Sequence, residues 1–165
     1  MSIYIGIDNG VSGALAAISA TTGALIAATV MPIQKARRGN EIDVRAVWKW
    51  MTEATGEQVQ SARCVIEEPG GSKSSKAACS MAGSFHALRT ILEVRGIRWH
   101  RVTPQAWQKE MIPGCKTGET KLRAKAKARQ LWPEEAWLET PRCTTMHDGL
   151  IDAALIAEYA RLKQL

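Results

Sequence analysis

Apolar positions in this chain fall into two rhythms, and the places where one gives way to the other mark its elements. Residues Ile3 to Ile7 read Ile-Tyr-Ile-Gly-Ile, a run of β-branched and aromatic side chains that predicts a buried strand. The strand ends on Asp8, where Asn9-Gly10 turns the chain. Residues 13–19 and 24–31 predict two more strands, separated by the turn Thr21-Thr22-Gly23 and closed by Pro32. Then the period changes. Asp43 is placed as an N-cap, and Val44, Val47, Trp48 and Met51 follow at helical spacing until Gly56. The short apolar run Cys64-Val65-Ile66 predicts a fourth strand, which stops at Glu67-Glu68-Pro69-Gly70-Gly71.

A helix is predicted over 73–95, with Ala78, Met81, Phe85, Leu88 and Leu92 on one face and Gly96 ending it. A fifth strand is predicted over 97–102. Thr103-Pro104 then opens a helix with Thr as the cap and Pro at its first position, and Pro113-Gly114 breaks it. A basic helix over 116–131 stops before Pro133, residues 134–142 are irregular, and a last helix covers 145–162. Lys35 to Asn40 reads as a basic, glycine-containing loop. The order β-β-β-α-β-α-β-α-α-α predicts an α/β fold. An antiparallel meander leads into βαβ units, giving a five-stranded mixed sheet with helices on both faces. Residues 1–165 are expected to form one domain, with no repeat, linker or low-complexity segment.

Composition adds two points. At 45% hydrophobic the chain belongs with globular rather than disordered proteins, and its net charge of +6 favours an anionic partner, nucleic acid first. The cysteines, Cys64, Cys79, Cys115 and Cys143, form no CxxC pair and complete no zinc pattern with the histidines, so reduced thiols are expected. With neither a membrane-length apolar run nor a basic leader before the first strand, a cytoplasmic protein of a bacterial or phage-infected cell is expected.

The candidate chemistry lies in carboxylates. Asp8 and Glu67 each end a strand, and Asp148 and Asp152 stand four apart on the last helix, so they share a face about 6 Å apart. Leu155 and Tyr159 continue that face, which turns it toward the protein body. Each acid has an ordinary explanation: Asp8 as a turn residue, Asp148 in a capping box with Thr145. Together they are a set of oxygen ligands for a hard cation, because like charges that close repel unless a cation lies between them. Two such ions roughly 4 Å apart can activate water and stabilise the leaving oxygen of a phosphodiester. Glu68 adjoins Glu67, and a one-residue change of register would exchange them; Glu67 is preferred. His147 is read as a plain first-turn histidine in preference to a ligand or proton carrier.

The segments IYIGIDNGVSGALAAI, VIEEPG, VTPQAWQKEM and HDGLIDAALIAEYA, in this order, resemble the RuvC-type Holliday-junction resolvases of the RNase H-like superfamily, most of all their phage and organellar branch. The resemblance implies an RNase H-like fold and Mg²⁺, with Mn²⁺ as a possible substitute, bound by Asp8, Glu67, Asp148 and Asp152. It implies hydrolysis of DNA at four-way junctions to 5′-phosphate and 3′-hydroxyl ends, a lysine that assists catalysis, for which Lys121 is the candidate, and a homodimer that places two sites on a two-fold junction. In the bacterial members the two helix acids stand three apart rather than four.

Between Lys116 and Arg129 there are six basic residues and one acid, Glu119. From this cluster Lys116, Lys121, Arg123 and Lys125 are the expected DNA contacts, joined by Lys73 and Lys76 beside the glycine- and serine-rich loop 70–75. Lys35, Arg37 and Arg38 form a further basic spot, and Trp50, off the apolar face of its helix, is a candidate for stacking. Three alternatives stand beside the resolvase reading. One is an RNase H-like nuclease acting on RNA or RNA–DNA hybrids. Another is a non-catalytic junction-binding protein. The third is a phosphate loop of the sugar-kinase and actin type at Gly6-Ile7-Asp8-Asn9-Gly10, which would need a second such domain.

Overall fold

The computed structural model describes every residue except Met1, Arg38, Ser72, Lys73 and Thr117. The expected contact at Lys73 therefore lies outside the described residues. The central sheet has the order β3-β2-β1-β6-β7, formed by β1 (Ile3–Asp8), β2 (Ala14–Ser19), β3 (Leu25–Val30), β6 (Arg63–Glu67) and β7 (Arg98–Val102). The first three strands are an antiparallel meander, and β6 and β7 add in parallel on the other side of β1. This is the mixed five-stranded sheet that the period changes predict.

Helices α1 (Val44–Thr55) and α2 (Ser75–Val94) cover one face, around Ile3, Ile5, Ile7, Leu15 and Ile66. Helices α3 (Pro104–Met111), α4 (Thr120–Leu131) and α5 (Asp148–Lys163) cover the other, around Ala14, Ala16, Ile18 and Val65. The caps follow local chemistry. Asp43 accepts the backbone N–H groups of Arg45 and Ala46, and Thr103 accepts that of Ala106 ahead of Pro104. Gly56 and Gly96 take positive φ, as residues ending a helix do.

The structure corrects several boundaries. Residues 33–42 are a two-stranded ribbon rather than a loop, with β4 (Ile33–Ala36) paired to β5 (Gly39–Ile42). A 3₁₀ turn, Gly56–Ser61, follows α1. Helix α2 starts at Ser75 behind an Ser74 cap, and α4 starts at Thr120, which leaves Lys116 in the preceding loop. Helix α5 starts at Asp148, not Thr145, because His147 is its cap: the imidazole Nδ1 accepts the Leu150 N–H at 3.3 Å. The proposed Thr145 capping box is absent. Trp50 is partly buried against the α1/α2 core, which leaves it a packing residue.

Helix α5 is also not amphipathic. Every residue from Ala153 to Glu158 is buried, because the helix lies between the sheet and the α3/α4 pair. It approaches β1 closely. A Cβ on Gly6 would overlap the Ala153 carbonyl and the Ala157 amide, so glycine is required there for helix packing. The resemblance of this stretch to a nucleotide phosphate loop thus has a different structural basis.

Candidate active site

Strands β1 and β6 run in parallel, and the register pairs Gly6 with Val65 and Ile7 with Ile66. Asp8 and Glu67 are therefore level with each other at the same end of adjacent strands. Alternation puts both on the face that α5 covers. Glu68 points the other way, half-exposed, with its Oε1 3.4 Å from Arg101. Of the two glutamates, Glu67 is therefore the one on the same sheet face as Asp8.

Helix α5 runs back over this strand end. Gly149 lies so close to Asp8 that a Cβ there would come within 3.0 Å of Asp8 Oδ2. One turn on, Asp152 completes a group of three acids with Asp8 and Glu67. Electrostatics shows how near they are. Burial, then the charges of Glu67 and Asp152 and a side-chain hydrogen bond with Glu67, hold the Asp8 carboxyl well above its usual range. Burial raises Glu67 too, opposed by hydrogen bonds from Trp107 and Asp8. Asp152 is pushed up to about 7 by burial, then by Glu67 and Asp148.

Asp148 stands apart from this trio. Its Oδ2 is 2.6 Å from Lys121 Nζ and its Oδ1 2.9 Å from Lys125 Nζ, and the Lys121 hydrogen bond, above all, holds its carboxyl below the usual range. Two of the expected DNA contacts thus meet the first acid of α5. Arg123 lies on the outer side of α4 beside Glu119, with 3.6 Å between them, and Lys116 and Lys76 are exposed. Among the described residues no three acidic, histidine or cysteine side chains stand closed around an ion-sized space. The donor set nevertheless has the chemistry of a hard-cation site: oxygen ligands only, partly buried, with Asp8, Glu67 and Asp152 each held above the usual carboxylate range.

Trp107 is the residue that the sequence pattern passes over. It is fully buried and donates its indole N–H to Glu67 Oε1 at 2.6 Å. The motif Val102-Thr103-Pro104 aims it there, since the Thr103 cap and Pro104 fix where α3 begins. A tryptophan at a core position gives no warning in sequence that its polar edge is in use.

No protein-family model matches the chain, and no curated protein matches it by sequence. Solved structures do. The structure "T. thermophilus RuvC in complex with Holliday junction substrate" superposes with a TM-score of 0.62 at 16% identity, covering 99% of this chain and 96% of that one. The chain has the RuvC fold. A second "Thermus thermophilus RuvC structure" gives a TM-score of 0.57 at 16% identity, over 98% of this chain and 96% of its own. The RNase H-like fold expected from the sequence motifs is therefore present from end to end. No helix among the described residues is long and apolar enough to cross a membrane.

Proposed function

We propose that this protein is a divalent-metal-dependent endonuclease that cuts four-way DNA junctions by hydrolysing phosphodiesters. The observation that carries the reading is the group Asp8, Glu67 and Asp152: three acids from two adjacent strands and the covering helix, brought together in a partly buried setting that raises the proton affinity of each. Stability alone gives no reason to assemble them. The RuvC fold, and the Holliday junction bound by one protein that shares it, support the substrate class.

Asp8, Glu67, Asp148 and Asp152 would hold Mg²⁺ or Mn²⁺. The bound ions would neutralise the acids, lower the pKa of a water and offset charge on the phosphate. The chain's own residues supply the rest. Trp107 fixes the Glu67 carboxylate in one orientation. Gly149 leaves room for the Asp8 side chain under α5. Lys121 and Lys125 pair with Asp148, and Lys121, mostly exposed, would meet a phosphate oxygen and stabilise its developing charge. Lys116 and Arg123 extend the basic surface along and ahead of α4. A homodimer would present two such sites to the two-fold junction and give the symmetric pair of cuts.

The test compares a labelled four-way junction, a linear duplex and an RNA–DNA hybrid, each with Mg²⁺ and with EDTA. Paired nicks on the junction alone, lost in EDTA, are expected. Cutting of the hybrid instead would move the substrate to RNA. Tight junction binding without any cutting would make the protein a non-catalytic binder.

A further inference from the structure

Strand β3 is one edge of the central sheet: β2 lies on one side of it and, among the described residues, no strand lies on the other. Its pairing with β2 slips between Ala17, which partners Ala27, and Ile18, which partners Leu25. Ile26 is the residue left over in this bulge, and it stands 44% exposed at the rim of the sheet. Proteins commonly guard an open edge with charge on the strand itself. The strand Leu25–Val30 carries none.

An open groove of 560 Å³ separates this edge from the segment between α4 and α5, with Leu25, Ile26 and Ala28 on one wall and Trp137 and Leu138 on the other. Glu135 and Glu139 line the same groove and are exposed, and among the described residues no lysine or arginine pairs with either. The groove is therefore apolar with an acidic rim, in a chain whose net charge is +6. Trp137 adds two unusual features. Its φ of 56° lies in the left-handed region, which is rare for a bulky side chain, and its indole N–H is buried with no acceptor among the described residues. Backbone strain and an unused buried donor collect at binding surfaces more than in ordinary cores.

We infer that this groove docks an extended segment of a partner protein in which apolar side chains alternate with lysine or arginine. The period of two turns every apolar side chain of such a segment to one face, where it covers Ile26 and Leu138. The cations meet Glu135 and Glu139, and the segment's backbone pairs with the outer edge of β3. Nucleic acid is the poorer occupant, because its phosphates would meet two unpaired carboxylates. A second copy of the chain could offer its own edge strand β7, Arg98-Trp99-His100-Arg101-Val102, but Trp99 and Val102 are already packed in the cores on either side of the sheet. The inference goes beyond phosphodiester cleavage and does not depend on it.

The experiment measures anisotropy of a fluorescent peptide of alternating lysine and valine titrated with the full chain, beside a peptide of alternating glutamate and valine. The variants are Ile26→Lys, Glu135→Lys/Glu139→Lys, and the control Glu53→Lys/Glu57→Lys, which makes the same change of charge on the α1 side of the sheet. The lysine peptide is expected to bind the wild-type chain and the control alike, and to lose roughly tenfold or more in affinity for each groove variant. It should also protect the backbone amides of residues 25–30 from hydrogen exchange, and the glutamate peptide should not bind. Absence of binding by the wild-type chain, wild-type affinity in the groove variants, or protection confined to other strands would overturn the inference. An equal loss in the control would overturn it as well, since net charge alone would then be acting. So would self-association in sedimentation without peptide that Ile26→Lys abolishes, which would give the groove to a second copy.

Discussion

The two faces of the sheet are packed by opposite means. On the α1/α2 face the strands present Ile3, Ile5, Ile7, Leu15 and Ile66, and the helices answer with Met51, Phe85, Leu88 and Leu92. Large side chains hold those helices off the sheet, and the interface is an ordinary core. On the α5 face the strands present Gly6, Ala14 and Ala16, and the helix presents Ala153, Ala154 and Ala157. Small residues on both sides let the α5 backbone descend onto β1. Only at that distance does Asp152 lie over Asp8 and Glu67. Both faces bury large apolar clusters, and the α5 face adds to its own this close approach of helix and strand, which holds three acids within reach of one another.

The largest expected effect breaks this contrast at its narrowest point. Gly6→Ala places a methyl group against the α5 backbone, where no side-chain rotamer can move aside, so helix and strand must separate. A loss of more than about 3 kcal/mol is expected, typical of severe overpacking. Thermal or urea unfolding measures it, and near-wild-type stability would mean that α5 does not sit as close as described. Leu88→Ala, on the other face, should cost about 2–5 kcal/mol through its cavity, yet leave junction cleavage per folded molecule intact at low temperature. Loss of cleavage in that variant would remove the division of labour between the faces.

The third effect concerns the proton affinities. Asp152 titrates near 7 in the fold and near 3.8 in the unfolded chain. The metal-free folded chain therefore keeps protons between about pH 4 and 7 that the unfolded chain has released, and its stability falls as pH rises through that window. Asp8 and Glu67 are raised as well and act in the same direction. In EDTA the melting temperature should decline from pH 4.5 to 7.5, and Asp152→Asn should flatten the decline and gain about 1–2 kcal/mol at pH 7.5 while abolishing cleavage. Mg²⁺ should restore the wild-type chain most at the high-pH end. A wild-type profile that is flat or rises with pH in EDTA would contradict the clustering of these three acids.

Most of the fold was legible because its signals are local. Strand runs, the Asp43 and Thr103 caps, and the glycines at 56 and 96 depend on neighbours in sequence, and the structure keeps them. What depends on distant partners was harder to read. The ribbon at 33–42 lacks a β-branched alternation and exists because Met31 and Ile42 pin its base. Thr145 looked like a cap, but the His147 N–H is taken by the Trp137 carbonyl at 2.7 Å, and the helix starts later. The two strand-end acids were readable as a pair, whereas choosing Glu67 over Glu68 required the pairing of Gly6 with Val65. Lys121 and Lys125 read as a phosphate surface, and their hold on Asp148 appears only when α4 and α5 are side by side.

Trp107 gives the smallest of the four effects and bears on the site alone. Its ring fills the α5-side core, and its N–H is the Glu67 partner from α3. Trp107→Phe keeps most of the apolar volume and removes that one donor, so a purely structural role predicts a small change in stability and none in metal dependence. A positioning role predicts that Glu67 loses its fixed orientation. The Mg²⁺ concentration for half-maximal cleavage should then rise by roughly 10–100-fold, as it does when outer-shell partners of metal ligands are lost. Saturating Mg²⁺ should recover most of the rate, and calorimetric titration with Mn²⁺ in the absence of DNA should show the same weakening. Were metal affinity to stay at the wild-type value, the indole would belong to the core and the orientation of Glu67 would be set by its strand.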